Sequence, residues 1–249
     1  MTNARAIGRS LRIYHAPGRA AALDAFHARF LSAGDLAFDI GAHVGDRAAS
    51  FLRLGARVVA VEPQPRLARA LRLILPRTPA LRILQVLLGA APGEATLFLN
   101  TANPTVATVS ADFIAAARGA AGWEAEHWDA HLALPISTLD ALIAAHGMPH
   151  FVKIDVEGHE AAVLAGLSRA PRAMSVEFTT IQRDVARAAL ARLAALGYAV
   201  FNACLGESMR FAFAAPVRAA DLAAWIDALP HAANSGDIYA SLEPGRIGR

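Results

Sequence analysis

Short apolar runs that alternate with helical segments constrain the fold of this chain more than any other feature. Seven such runs occur, and they cover residues 36–40, 57–62, 81–88, 151–155, 173–178, 198–203 and 237–242. The first three are closed by polar residues or glycine, as expected for strands buried on both faces of a sheet. The segments between the runs carry apolar residues at helical spacing. This alternation predicts an α/β fold with a mostly parallel sheet and helices on both of its faces.

Glycine, proline and a capping pattern mark the ends of several predicted helices. Ser137 and Asp140 have the spacing of a capping box, and the helix that they begin is predicted to end at Gly147. Gly55 is placed as the residue that follows another helix, and Pro76 would stop a third.

The domain organisation follows from where the alternation begins and where it is interrupted. Residues 1–34 are predicted to form a helical lead-in, and residues 35–249 a single domain. Residues 101–135 are predicted to be an irregular insertion at the edge where the strands end. Such an insertion is often a lid or a substrate wall, and a tolerated loop without function is the alternative.

Composition excludes several classes of protein. With 55% apolar and 18% charged residues among 249, the chain can build a large core. Its single cysteine, Cys204, cannot form a disulfide framework or a zinc knuckle. The arginines are scattered and no long apolar stretch occurs, so neither a nucleic-acid partner nor a membrane span is expected. We therefore expect a soluble, cytoplasmic protein.

The loop after the first predicted strand has the features of a cofactor site. It carries Asp39, Gly41 and Gly45 before a helix begins. Glycines let a backbone turn sharply and approach a ligand closely, and a helix N-terminus offers free N–H groups. Glu62 closes the next strand 21 residues after Gly41. An acid at that place binds ribose hydroxyls in doubly wound folds, so a nucleoside-containing cofactor is predicted.

The acid in this loop indicates which nucleoside is bound. A dinucleotide fingerprint, G-x-G-x-x-G, keeps glycine where this chain has Asp39. A carboxylate there would repel a pyrophosphate, whereas it suits an ammonium or a sulfonium. The loop therefore favours S-adenosylmethionine over NAD or FAD. An NAD-dependent oxidoreductase of Rossmann type is the alternative enzyme, and a non-catalytic nucleotide-binding interaction module is the alternative from another class.

Six blocks of the sequence stand in an order known from one family. They read DIGAHVGDRAASFLRLGARVVAVEPQP, LLGAAPGEATLFLN, STLDALI, VKIDVEGHEAAVLAGL, VEFT and GDIYA. Spanning about residues 35–242, they resemble the FkbM family of S-adenosylmethionine-dependent methyltransferases. The resemblance implies the class I methyltransferase fold, a Rossmann-like, doubly wound sheet of seven strands with an antiparallel last strand. It also implies O-methylation of a hydroxyl on a sugar or secondary metabolite, and thus a hydroxylated small-molecule partner.

The resemblance also implies a set of cofactor-binding residues. These are Asp39, Gly41, Ala42, Gly45, Glu62, Pro63, Gln64, Leu88 and Gly89. Gln64, Leu88 and Gly89 would lie near the adenine. His43 departs from the pattern, since family members often carry asparagine at this place.

Lys153 is the only lysine in the chain, where the other 23 of 24 basic residues are arginine. It lies in a predicted buried strand with Asp155 on the same face. A lysine buried there must be paired, because otherwise its pKa would fall. Asp155 is the near candidate for the partner and Glu177 is another, and a purely structural ion pair is the alternative to a role in the site.

The end of this strand and the loop after it supply the predicted catalytic residues, Lys153, Asp155, Glu157 and His159. Methyl transfer requires that the acceptor be held in line with the methyl group and lose its proton. Asp155 or His159 is predicted to take the proton, while Lys153 and Glu157 shape the site. A second route is Mg²⁺ held by Asp155, Glu157 and a third ligand, but no metal is expected.

Overall fold

The structure is a computed structural model that describes residues 2–248, so Met1 of the predicted lead-in and Arg249 of the predicted domain lie outside it. In this part of the chain there are ten strands: β1 Leu36–Ile40, β2 Arg57–Val61, β3 Leu81–Leu84, β4 Leu87–Leu88, β5 Gly93–Leu99, β6 Ala130–Ser137, β7 Phe151–Ile154, β8 Ala173–Thr179, β9 Phe201–Leu205 and β10 Ser235–Ser241. Nine α-helices occur in the same range: α1 Thr2–Tyr14, α2 Arg19–His27, α3 Asp46–Arg53, α4 Pro65–Ile74, α5 Ala111–Ala117, α6 Leu139–His146, α7 Glu160–Ala165, α8 Arg183–Ala195 and α9 Ala219–Ala228.

Seven of the strands form one doubly wound sheet in the order β3-β2-β1-β7-β8-β10-β9. β10 runs antiparallel to both of its neighbours, and the other pairs in the sheet are parallel. The predicted α/β fold with an antiparallel last strand is therefore confirmed. Because β1 lies between β2 and β7, the loops that follow these three strands meet at the carboxyl edge of the sheet.

Apolar layers cover both faces of this sheet. On one face, Phe30 stacks on Phe151 with ring centroids 4.7 Å apart, and Phe51 packs edge-on against the same ring. On the other face, α6, α7, α8 and α9 bury their apolar sides, including Leu164 and Leu190. Burying one large apolar side chain stabilises the fold by about 1.5–3 kcal/mol, so these layers hold the strand ends in place.

The predicted strand over residues 81–88 is in fact two strands in different sheets. β3 is the half-buried edge strand of the main sheet, and the chain leaves that sheet after Leu84. β4 pairs with β6 in a second sheet of order β4-β6-β5. The prediction was wrong because one continuous apolar run does not show where a strand exchanges one partner for another.

The predicted irregular insertion over residues 101–135 contains regular structure. It holds α5 and most of β6, and residues 130–136 of β6 pair antiparallel with β5. In β6 the apolar side chains of Leu132, Leu134 and Ile136 alternate with exposed residues. This period of two is the signal of a half-buried strand, which the sequence interpretation did not use.

The capping residue of α6 also differs from the prediction. Thr138, and not Ser137, is the N-cap, and its hydroxyl accepts a hydrogen bond from the backbone N–H of Ala141 at 3.1 Å. The carboxylate of Asp140 accepts instead from the backbone N–H of Ser168. The predicted end of this helix at Gly147 is confirmed.

Helix α1 lies beside the carboxyl edge of the sheet, whereas α2 packs against α3. α1 contacts the 3₁₀ turn Pro104–Val106, which belongs to the insertion. His15, just after α1, shares a 2.9 Å hydrogen bond with the carbonyl oxygen of Val44. No helix within residues 2–248 has both the length and the apolar character that crossing a membrane requires.

Candidate active site

A glycine allows two loops to touch at the carboxyl edge of the sheet. Gly41 follows β1 with φ of 82°, and a Cβ atom there would lie 1.7 Å from the carbonyl oxygen of Asp155. No side chain can be accommodated at such a distance. The loop after β1 therefore packs directly on the loop after β7, and both loops line a cleft.

The cleft brings together all but two of the residues predicted from the sequence. Those that line it are Asp39, Gly41, Ala42, Glu62, Pro63, Gln64, Leu88, Lys153, Asp155, Glu157 and His159. Gly45 lies outside the lining and is the N-cap of α3, where an added Cβ would lie 2.6 Å from the side chain of Leu71. Gly89 also lies outside the lining, beside Ile136 and the ring of His159.

Glu62 organises the backbone on one side of the cleft. Its carboxylate accepts hydrogen bonds from the backbone N–H groups of His43 and Gln64, both at 2.8 Å. Burial raises the pKa of Glu62 to about 8, although these two hydrogen bonds oppose the shift. Each carboxyl oxygen retains a further lone pair, so Glu62 can accept additional hydrogen bonds from ligand hydroxyls.

Asp39 brings a second buried carboxyl group to the cleft. It is 2% exposed, and its Oδ2 atom has no hydrogen-bond partner among the residues described. Burial, together with the nearby Asp46, raises the pKa of Asp39 to about 7 despite the opposing charges of Arg47 and Lys153. A buried oxygen without a partner is costly, and a ligand group that carries a proton or a positive charge would satisfy it.

Lys153 is held by two carboxylates. Its Nζ lies 2.6 Å from Asp237 and 3.2 Å from Asp155. Burial lowers the pKa of Lys153, but Asp155 and Asp237 outweigh it, so the pKa lies well above its ordinary value. The predicted pairing with Asp155 is confirmed, whereas Glu177 forms no ion pair with Lys153 within residues 2–248. The sequence interpretation did not predict Asp237 as a partner of Lys153. The available signal was an acid at the start of the apolar run 237–242.

The loop between β7 and α7 holds its shape through Glu160. One oxygen of this side chain accepts hydrogen bonds from the backbone N–H groups of Val156 and Gly158. Glu157 adopts φ of 53°, which the hydrogen bond from Thr108 to its carbonyl oxygen helps to fix. His159 stands at the start of α7, and burial lowers the pKa of its half-buried ring. Glu160 is therefore structural, while Glu157 and His159 line the cleft.

A second cavity of about 410 Å³ adjoins the cleft. Its walls come from α1, from the insertion and from the ends of β7, β8 and β10. Both cavities are lined by the same set of polar and apolar residues at their junction: Tyr14, Arg47, Pro104, Thr105, Lys153, Asp155, Glu157 and Glu207. The cleft and the cavity therefore form one connected site.

Residues that the sequence interpretation missed border this junction. Arg47 bonds Asp46 and Glu207, each at 2.5 Å, and thereby links α3 to the loop after β9. The ring of Tyr14 at the end of α1 packs edge-on against His43, with centroids 5.3 Å apart. These residues are distant in sequence, so no local motif could have brought them together.

A doubly wound sheet with an antiparallel last strand and a cleft lined by acids at its carboxyl edge defines a Rossmann-like, class I methyltransferase. The family model of the methyltransferase FkbM domain matches residues 39–200. The chain belongs to this family of S-adenosylmethionine-dependent methyltransferases. The match favours a methyltransferase over the NAD-dependent oxidoreductase that the sequence left as an alternative.

Several solved structures are similar to the chain. One is an O-methyltransferase from Bacillus cereus in complex with SAH, with 11% identity, coverage of 96% of this chain and 91% of that chain, and a TM-score of 0.46. Another is the magnesium protoporphyrin IX methyltransferase from Synechocystis PCC 6803 with bound SAM. It has 11% identity, coverage of 95% of this chain and 84% of that chain, and a TM-score of 0.46. A third is a precorrin-6y C5,15-methyltransferase from Geobacter metallireducens GS-15. It has 14% identity, coverage of 89% of this chain and 86% of that chain, and a TM-score of 0.43. No curated protein matches the sequence.

Proposed function

We propose that the protein methylates a hydroxyl oxygen of a neutral, polyhydroxylated small molecule, such as a sugar or a secondary metabolite. The observation that carries this proposal is the connection between the cleft and the second cavity at Asp155 and Glu157. A volume of about 410 Å³ lies within the range of small-molecule sites. The cleft would hold the methyl donor and the second cavity the acceptor.

The residues of the cleft fit S-adenosylmethionine. The unpartnered oxygen of Asp39 suits a positively charged group, and Glu62 offers lone pairs to ribose hydroxyls. Gly41 keeps the space between the two loops free of a side chain. When bound, the cofactor supplies an activated methyl group on a sulfonium centre.

Asp155 is the residue best placed to receive the acceptor's proton. It borders both cavities, whereas His159 lines the cleft alone. Burial raises the pKa of Asp155, but Lys153 and a hydrogen bond with Glu177 outweigh it and lower the pKa, so Asp155 is ionised. An ionised carboxylate accepts a hydrogen bond from a hydroxyl and thereby orients its oxygen. Lys153 orients Asp155 through the 3.2 Å ion pair.

The charge of the second cavity favours a neutral acceptor. Glu126, Glu157 and Glu177 line it, and carboxylates accept hydrogen bonds from the hydroxyls of a polyol. Two aspartates and four glutamates line this cavity against three basic residues, Arg9, Arg47 and Lys153, and this excess of acids disfavours a phosphate or a carboxylate on the acceptor. This argument supports a sugar or a secondary metabolite rather than a phosphorylated substrate or nucleic acid.

The proposal is tested with a labelled methyl donor and paired acceptors. Each pair consists of a neutral sugar or polyketide alcohol and its phosphate ester or its O-methylated form. We expect label transfer to the neutral hydroxyl compound and little transfer to the other member of the pair. The labelled product should be a methyl ether, which survives mild base. Transfer only to amines or carbon centres, or a preference for the phosphate esters, would contradict the proposal.

A further inference from the structure

Three carboxyl groups converge where the cofactor cleft meets the second cavity. Asp155 and Glu157 come from the loop after β7, and Glu177 comes from the neighbouring strand β8. One oxygen atom from each of the three lies within 4.8 Å of the corresponding atoms of the other two. At such distances the three groups cannot all be ionised unless a positive charge compensates them.

Glu157 and one oxygen of Glu177 lack the partners that buried carboxyl groups normally have, although Glu177 also shares a hydrogen bond with Asp155. Glu157 is 7% exposed, and its carboxyl group receives no hydrogen bond or ion pair from any residue between positions 2 and 248. The Oε2 atom of Glu177 is buried and likewise has no partner within that range. Buried polar groups in folded proteins are nearly always paired, so both oxygens point to a missing positively charged or donor group.

The cations near the cluster are already engaged. Lys153 is closest to Asp237, at 2.6 Å, and lies 3.2 Å from Asp155. Arg47 is bonded to Asp46 and Glu207. Among the described residues Lys153 forms ion pairs with Asp155 and Asp237 alone, so it leaves Glu157 and Glu177 without a paired cation.

We propose that Asp155, Glu157 and Glu177 bind a divalent cation of the oxygen-preferring class, Mg²⁺, Mn²⁺ or Ca²⁺. The ligand set consists of carboxylate oxygens without thiol or imidazole, which suits hard cations rather than zinc or copper. Around such an ion, neighbouring ligand oxygens are roughly 3 Å apart and opposite ones roughly 4–5 Å apart. The observed separations of up to 4.8 Å therefore need little closure.

The position of the cation site gives it a role in the proposed reaction. Three protein ligands leave further coordination positions, and Glu177 lines the second cavity, so these positions are open towards the acceptor. A divalent cation lowers the pKa of a hydroxyl that it coordinates and fixes the position of its oxygen. This role rests on the proposed O-methylation, whereas the binding site itself does not.

The test uses Mn²⁺ as the probe and the full-length protein. Free Mn²⁺ is measured by electron paramagnetic resonance during titration of wild type, Glu177→Gln and Glu124→Gln. Glu124 is an exposed residue of the insertion outside the cluster, so its variant is a matched control for the loss of one charge. We expect one Mn²⁺ per chain in wild type and Glu124→Gln, and binding at least about tenfold weaker in Glu177→Gln.

Two outcomes would overturn the cation site. One is the absence of binding by wild type up to about 5 mM Mn²⁺, and the other is equal binding by wild type and Glu177→Gln. If the melting temperature shows that Glu177→Gln does not fold, Glu157→Gln replaces it. If the cluster instead binds the amino group of an acceptor, wild type should not bind Mn²⁺, which is the first of these outcomes.

S-adenosylhomocysteine binding after treatment with EDTA separates this proposal from the proposed function. We expect that cofactor binding persists without metal and that turnover is lost and then restored by Mg²⁺ or Mn²⁺. Loss of cofactor binding in every condition would refute the proposed function while the Mn²⁺ titration still decides the cation site. Full turnover in EDTA would remove the cation from the reaction.

Discussion

The two halves of the site are built in different ways. The cofactor half takes six of its polar side chains from one stretch, residues 39–64, where two consecutive strands end. The acceptor half gathers α1, the insertion, the loop after β7 and the ends of β8 and β10. Local backbone geometry defines the first half, whereas long-range packing defines the second. Substitutions in the two halves should therefore have separable effects.

The largest expected effect comes from the place where the two halves meet. Gly41→Ala would put a Cβ 1.7 Å from a backbone carbonyl oxygen, so one of the two loops must move. We expect a loss of more than about 4 kcal/mol in the free energy of unfolding, together with loss of cofactor binding. Chemical denaturation and calorimetry with S-adenosylhomocysteine measure both.

Gly34→Ala is the matched control for Gly41→Ala. Gly34 has φ of 86°, close to that of Gly41, but a Cβ added there would have no atom within 4 Å. The free energy of unfolding of Gly34→Ala should fall only by the cost of a left-handed backbone conformation, about 1–2 kcal/mol, and cofactor binding should be retained. Equal losses in the two variants would show that the contact between the loops does not matter.

The next largest effect is a loss of turnover that leaves cofactor binding nearly unchanged. Asp155→Asn keeps the shape of the side chain and leaves Lys153 its closer partner, Asp237. We expect turnover to fall at least about 100-fold, because the acceptor's proton loses its destination, while cofactor affinity changes less than about threefold. Asp112→Asn, in an exposed part of α5, is the control. Full activity of Asp155→Asn in rate measurements would exclude it from the reaction.

The same division explains how much the sequence could predict. Asp39, Gly41 and Glu62 stand within one strand–helix–strand unit, so spacing alone places them in a cleft. The main sheet was predictable because six of its strands are apolar runs. The predicted bounds of these six runs lie within three residues of the strand bounds in the structure. Gly45 followed the same local pattern, but its position against Leu71 depends on the packing of α4.

The acceptor half could not be predicted in this way. The meeting of Glu177 with Asp155 depends on the order of β7 and β8 in the sheet, and the pairing of Lys153 with Asp237 depends on β10. Strand order is a property of the whole fold and leaves no mark on local spacing. An acid inside an apolar run is the only local sign, and it shows that a partner is needed without showing which.

A smaller effect is expected in the cofactor half alone. Glu62→Gln turns one of two acceptor oxygens into a donor, which then faces the backbone N–H of His43 or Gln64. We expect the dissociation constant for S-adenosylhomocysteine to rise about tenfold, equivalent to about 1.4 kcal/mol, with turnover at saturating cofactor nearly unchanged. Calorimetry checks this against Glu94→Gln, an exposed control. An unchanged affinity would contradict the role of Glu62.

The smallest expected effect is confined to the acceptor half. Ser10 lies in α1, is 6% exposed and lines the second cavity without lining the cleft. Ser10→Leu would fill part of that cavity, so the KM of the acceptor should rise about fivefold, or about 1 kcal/mol. Cofactor affinity should remain that of wild type, and Arg12→Leu, on the exposed side of the same helix, should change neither quantity. If Ser10→Leu weakened cofactor binding and left the acceptor KM unchanged, the assignment of the two cavities would have to be exchanged.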